Sequence, residues 1–212
     1  MICGVDEAGK GSVLGPMVVA AVGCKNMDDL VSLGVADSKK IPPKSREKIS
    51  SEIKAQFPFI IVIRSAQEID ILRQTMTMNE IVARSHAQAL SSLPCSCVYV
   101  DACDVNEKRY GETVSSFSRP GCTIISRHKA DNLFPPVSAA SIIAKVERDR
   151  IIKELSHEYG DIGSGYPSDQ VTITYLSEYI RHHNRPPVIA RSSWETVKNL
   201  LHKKSQSSLL DF

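Results

Sequence analysis

Several features are missing or scarce in this sequence, and each absence narrows what it can be. No apolar run within its 212 residues approaches the ~20 residues that a helix needs to cross a bilayer. The chain opens Met-Ile-Cys-Gly-Val-Asp, with no basic stretch leading into an apolar one, so no secretory signal and no membrane role are expected. Its six cysteines include no C-x-x-C pair; the nearest spacing is Cys95-x-Cys97. That argues against a zinc site. Without export, the thiols are expected to stay reduced and buried, and the protein to be cytoplasmic. Net charge is only +2, which does not by itself mark a nucleic-acid binder. There is no internal repeat and no low-complexity tract.

The remaining composition is that of an ordinary globular chain: 42% apolar and 24% charged. The length suits one large domain, or a domain with a small appendage, and allows a core of useful size. Charge is uneven only near the end. Arg181, Arg185, Arg191, Lys198, Lys203 and Lys204 face a single acid, Glu195. A solvated helical face is the simplest reading of that segment.

Residues 2–6 read as a strand, and the Val-rich "MVVAAVGC" (17–24) as a second. Gly9, Gly11, Gly15 and Pro16 between them exclude a helix and predict a hairpin. A helix is expected over 42–57, with prolines at its start, and a strand over 59–65. Helices follow near 66–73 and 78–91. "CVYVDA" (97–102) and "CTIISRH" (122–128) read as strands. The strongest helical pattern runs over 137–160 and stops at Gly160. The order implies an α/β fold with a mixed sheet. From about residue 165 two further helices, near 169–182 and 192–203, flank Pro186-Pro187 and predict a helical appendage. Trp194, the single Trp, is expected to pack that appendage against the main domain.

The segment "GVDEAGKGS" (4–12) resembles a phosphate-binding loop, but three features oppose that use. Gly11, not Ser or Thr, follows Lys10; a strand, not a helix, comes next; and Asp6 and Glu7 would put negative charge inside an anion cradle. The acids suit a metal site better. Asp6 and Asp101 end predicted strands and Asp131 follows one, so the three converge if those strands are neighbours. With Glu7 they make a four-carboxylate set, a hard donor group fit for Mg²⁺ or Mn²⁺. Adjacent residues of a regular strand face opposite sides. The backbone is therefore expected to leave strand geometry at Asp6 and Glu7, with Gly9 permitting it.

"GVDEAGKGSVLGPMVVAAV", "LGVADSKK", "YVDACDV", "HKADNLFPPVSAASIIAKVERDR" and "GSGYPSD" resemble, in order and spacing, the motifs of the type 2 ribonuclease H (ribonuclease HII) family. The likeness runs over most of residues 1–200 and is nearest to the archaeal branch, where the opening triplet can read Gly9-Lys10-Gly11. It implies a ribonuclease H-like catalytic domain over 1–164, with a mixed central sheet flanked by helices, and a small helical extension over 165–204. It also implies that Asp6, Glu7, Asp101 and Asp131 are the catalytic ligands of two Mg²⁺ or Mn²⁺ ions. The implied activity is cleavage of the RNA strand of RNA–DNA hybrids, and incision 5′ to single ribonucleotides embedded in duplex DNA. Products would carry 3′-OH and 5′-phosphate ends. The implied setting is DNA replication and ribonucleotide excision repair, and the expected state is a monomer.

Substrate contacts follow from the same likeness. Gly9, Lys10 and Gly11 would approach the ribose and a phosphate. Ser38, Lys39, Lys40 and Lys129 would meet phosphates. Tyr166 would sit at the ribonucleotide–deoxyribonucleotide junction. His128 is expected to be structural, and Arg148 is given no catalytic part. The final "QSSLLDF" resembles a sliding-clamp-binding peptide, with Gln206, Leu209 and Phe212 as its anchors, and makes 205–212 a clamp-binding tail. Two rivals are carried: another metal-dependent nuclease of the same fold, and a non-catalytic nucleic-acid-binding partner of the clamp.

Overall fold

The structure is a computed structural model that describes residues 1–35, 41–119 and 121–210. Ser38, Lys39, Lys40 and Phe212 lie outside the described residues, as do the side chains of Gln206 and Leu209.

The elements run β1 (Ile2–Ala8), β2 (Met17–Cys24), α1 (Met27–Val31), α2 (Pro43–Gln56), β3 (Phe59–Arg64), α3 (Ala66–Leu72), α4 (Met78–Ser91), β4 (Cys97–Asp101), α5 (Glu107–Phe117), β5 (Thr123–Arg127), α6 (Ala130–Leu133), α7 (Pro135–Tyr159), α8 (Gln170–His183) and α9 (Glu195–Leu210). One five-stranded sheet has the order β3-β2-β1-β4-β5. The β1–β2 pair is antiparallel, as the Val-rich strands around a Gly-rich link predict, while β1–β4 and β4–β5 are parallel. Parallel neighbours require crossover connections, and helices supply them. The expected mixed α/β architecture is the one observed. Helices α1, α5 and α6 have no counterpart among the residue ranges read from the sequence.

By its internal contacts the chain divides into two compact units, each assembled from separated segments. The first comprises 1–8, 18–63 and 77–147; the second comprises 9–17, 64–76 and 148–212. The first holds the sheet. In this unit β2 is apolar on both faces, and every one of its residues is buried. α4 enters it through a capping box in which Thr77 and Glu80 satisfy each other's backbone N–H groups. The second unit has its own core: Val13, Leu14, Ile152, Ile162, Leu176, Ile180 and Val197, with Trp194 packed against it.

Two expectations are corrected. Cys3 and Cys95, expected as reduced thiols, are joined as a disulfide with Cα atoms 5.9 Å apart; Cys24, Cys97, Cys103 and Cys122 are not disulfide-bonded. Absence of a close pair in sequence carried no information about a pair brought together by folding. The strand also does not break at the acids. Asp6 pairs with Ala20 and Glu7 with Val19 in regular register, and β1 ends only at Ala8. Departure from strand geometry begins at Gly9, whose φ is +82°.

Candidate metal centre and ribose-reading loop

The first unit carries the acids. Val5 pairs with Val100 in the parallel β1–β4 ladder, so Asp6 and Asp101 come next on neighbouring strands, at the same end of the sheet. Beside them, β5 ends at Arg127, paired with Asp101. Lys129 then takes a left-handed conformation, φ 54°. That turn aims the N–H of Ala130 at Asp101 Oδ1, 2.9 Å away, and starts α6 with Asp131 in its first turn. The sequence reading put Asp131 after a strand; the structure puts it, buried, in this short helix.

Because the strand stays regular, Asp6 and Glu7 serve opposite faces. Asp6 is buried, and its Oδ1 accepts from the backbone N–H of Glu7 at 2.7 Å. Burial, and after it the charges of Glu7 and Asp101, hold the Asp6 carboxyl well above the usual carboxylate range; a hydrogen bond from Ser141 of α7 opposes this. Lys145 Nζ donates in turn to Ser141 Oγ at 2.8 Å. On the other face, Glu7 Oε2 lies 3.0 Å from Nε2 of His86, a fully buried ring of α4. His86 Nδ1 lies 3.1 Å from the hydroxyl of Tyr110. Burial, then Cys103 and Glu7, push the Tyr110 phenol up. A neutral ring that accepts from the Tyr110 hydroxyl at Nδ1 donates its Nε2 hydrogen to Glu7.

Among the described residues no group of three His, Cys, Asp or Glu side chains is already arranged to hold an ion. Asp6, Glu7 and Asp101 are each engaged by a local partner instead. The chemistry of the set nevertheless fits a hard divalent cation: it offers carboxylate oxygens only, and burial first, then repulsion from Glu7 and Asp101, disfavours ionisation of Asp6. A cation there would relieve that repulsion.

The second unit carries the residues expected to read the sugar. The Gly9 N–H donates to the Tyr166 hydroxyl at 3.2 Å. The Tyr166 ring lies against the guanidinium of Arg148, 4.4 Å from its centroid. Arg148 is buried and donates to Ser164 O at 2.8 Å; burial pulls its pKa down. Gly9 needs to be glycine twice over, since its φ is positive and a Cβ would stand 2.6 Å from both Arg148 Nε and Pro16 O.

Arg191 corrects the reading of the basic segment as one solvated face. It is completely buried. Its guanidinium donates to Gly9 O (2.6 Å), Lys10 O (2.7 Å), Ser12 Oγ (2.8 Å) and Gly15 O (3.2 Å). Burial, then the like charge of Arg148, pulls its pKa to about 9, so it stays charged at neutral pH. Sequence reasoning missed His86, Tyr110, Ser141, Arg148 and Arg191 as parts of these arrangements. Arg191 had one local signal, its place directly after the apolar "VIA" (188–190). His128 is exposed, with ring nitrogens 3.3 Å from the carbonyls of Ala102 and Val105.

A family model described as ribonuclease HII matches residues 3–197. The chain is similar to ribonuclease HII of Methanospirillum hungatei, 82% identical over the full length of both. Among solved structures it resembles ribonuclease H2 from Pyrococcus horikoshii, with TM-score 0.89 and 39% identity over 97% of this chain and 99% of that one. It also resembles the RNase HII of the Archaeoglobus fulgidus PCNA:RNase HII complex, with TM-score 0.87 and 40% identity over 94% of this chain and 96% of that one.

Proposed function

Because the chain belongs to the ribonuclease HII family, we propose that it incises duplex DNA 5′ to single embedded ribonucleotides, leaving 3′-OH and 5′-phosphate ends. The family consists of metal-dependent endonucleases that cut the RNA strand of RNA–DNA hybrids, and the ribonuclease H-like sheet is the one described above. The observation that carries the finer reading is the placement of Asp6 and Asp101 at one end of adjacent parallel strands, with Glu7 beside Asp6 in the chain and Asp131 in the first turn of α6, whose Ala130 N–H bonds Asp101. Asp6, Glu7, Asp101 and Asp131 would hold two Mg²⁺ or Mn²⁺ ions, which when bound lower the pKa of an attacking water and neutralise charge on the leaving 3′-oxygen.

The remaining work falls to the chain's own groups. The 2′-hydroxyl distinguishes RNA from DNA at a given site, so it must be read. Gly9 and Gly11 let the backbone approach a sugar, and Lys10 and Lys129 can meet phosphates. Tyr166 offers a ring for stacking, and its hydroxyl, held by Gly9 N–H, is in place to share a hydrogen bond. On a duplex with one embedded ribonucleotide, Tyr166→Ala is expected to lower the preference for that substrate over a long hybrid by about tenfold. The check is the ratio of kcat/KM on the two substrates, with Mg²⁺ and Mn²⁺ compared. An unchanged ratio removes Tyr166 from this role, and failure of the unaltered protein to cut beside the ribonucleotide removes the reading itself.

Exposed residues of the basic segment, Arg181, Arg185 and Lys198 among them, suit backbone tracking along the duplex. The C-terminal Gln206, Leu209 and Phe212 suit a sliding clamp as partner, as does the similarity to an RNase HII solved in complex with PCNA. Deleting residues 206–212 is expected to abolish clamp binding, measured by calorimetry, and to leave hydrolysis of a short hybrid unchanged. Retained clamp affinity would remove the assignment.

A further inference from the structure

We propose that Arg191 is a positioning residue for ribonucleotide discrimination: it fixes the peptide planes of residues 9–11 so that their N–H groups face the substrate. The inference rests on the reading that the Gly9-Lys10-Gly11 turn and Tyr166 contact the ribose.

The geometry follows from peptide planarity. In a trans peptide the C=O of one residue and the N–H of the next point in opposite directions. Arg191 draws Gly9 O and Lys10 O to itself at 2.6 and 2.7 Å. The N–H groups of Lys10 and Gly11 therefore point away from it. Gly11 is exposed and Lys10 half-buried, so this is the side that solvent, and a substrate, can reach. Ser12 fastens the same turn: its Oγ accepts from Arg191 at 2.8 Å and donates to Gly9 O at 2.9 Å.

Arg191 is itself held from several directions. Its backbone N–H donates to Val13 O at 2.9 Å, and Gly15 N–H donates to Ile189 O at 2.8 Å. The next two residues are clamped by Asp70 of α3, which accepts from Ser192 N at 2.7 Å and Ser193 N at 3.0 Å. The Trp194 ring lies 4.9 Å from the guanidinium. A fully buried guanidinium beside a second buried arginine is a poor choice if packing alone is the aim, because an apolar side chain of similar volume serves stability as well or better. What an apolar side chain cannot do is orient three carbonyls and a hydroxyl from one rigid, planar fork. Lysine cannot do so either; its single nitrogen carries three donors and no plane.

The test uses the full chain with Arg191→Lys and Arg191→Met. Each is assayed on a duplex with one embedded ribonucleotide and on an RNA–DNA hybrid, with the melting temperature recorded. Both variants are expected to lose tenfold or more in kcat/KM for the single ribonucleotide relative to the hybrid, and added guanidinium ion is expected to restore part of that ratio in Arg191→Met. Equal loss on both substrates, or wild-type ratios in Arg191→Lys, would overturn the proposal. Should both arginine variants fail to fold, Ser12→Ala is read the same way: a selective fall supports the role and an unchanged ratio overturns it. Absence of incision by the unaltered protein would count against the ribose-reading assignment instead.

Discussion

Asp101→Asn is expected to lose turnover by about a thousandfold or more while keeping its fold and its grip on the duplex. The substitution is close to isosteric. Asp101 Oδ1 accepts from Ala130 N–H at 2.9 Å, and the carboxamide oxygen of asparagine can accept the same bond, so the Lys129 turn and α6 stay in place. What disappears is one hard anionic donor of the carboxylate set. The charge change also points the opposite way for stability. Asp101 is one of the charges that push the Asp6 carboxyl up, so its removal relieves repulsion, and the variant should melt at the wild-type temperature or above it. Single-turnover hydrolysis of a hybrid, fluorescence anisotropy on the same duplex and a thermal melt separate these effects. Turnover near that of the unaltered protein would sink the assignment of the acids. Lost binding or a lowered melting point would show that the carboxylate holds structure rather than chemistry.

Which parts of this arrangement could be read from the chain follows from the range of the interactions involved. The hairpin was legible because alternation, Val content and a Gly-rich link are local signals, and β2 was read to the residue, Met17–Cys24. The placement of Asp101 at the end of β4 was legible for the same reason, while β1 runs two residues past Asp6 to Ala8. The expected break of strand geometry at Asp6 and Glu7 is not found: the strand stays regular to Ala8, and each acid has its own partner, Ser141 for one and His86 for the other. α6 is only Ala130–Leu133, too short for any periodic pattern. The Cys3–Cys95 link spans a sequence separation of 92, and Arg191 reaches Gly9 across 182 residues. The disulfide leaves no mark in the neighbouring sequence, and Arg191 only its place after the apolar residues 188–190. A buried arginine and a solvated one look alike until the fold brings carbonyls to one of them.

Gly4→Ala is expected to cost several kcal/mol of stability, through a contact that also bears on the acids. A Cβ at Gly4 would stand 2.2 Å from the carbonyl carbon of Pro136 and 2.3 Å from Val137 N. Both are backbone atoms in the first turn of α7, so no side-chain rotation relieves the clash; either β1 or the helix must shift. Gly4 lies two residues before Asp6 on the same strand, and α7 carries the Ser141 that bonds Asp6. The glycine thus lets the helix come close enough to place that hydroxyl. For a chain of this length each kcal/mol lowers the melting temperature by about 2–4 °C, so a drop of roughly 10 °C is expected, with reduced hydrolysis at temperatures where the variant is still folded. Gly23→Ala is the matched control on β2. Its Cβ would meet the Met1 Cε at 2.6 Å, the far end of a flexible side chain that can swing aside, and its melting temperature should move by no more than about 3 °C. If Gly4→Ala melts as Gly23→Ala does, close approach of α7 to β1 is not what requires glycine at this position.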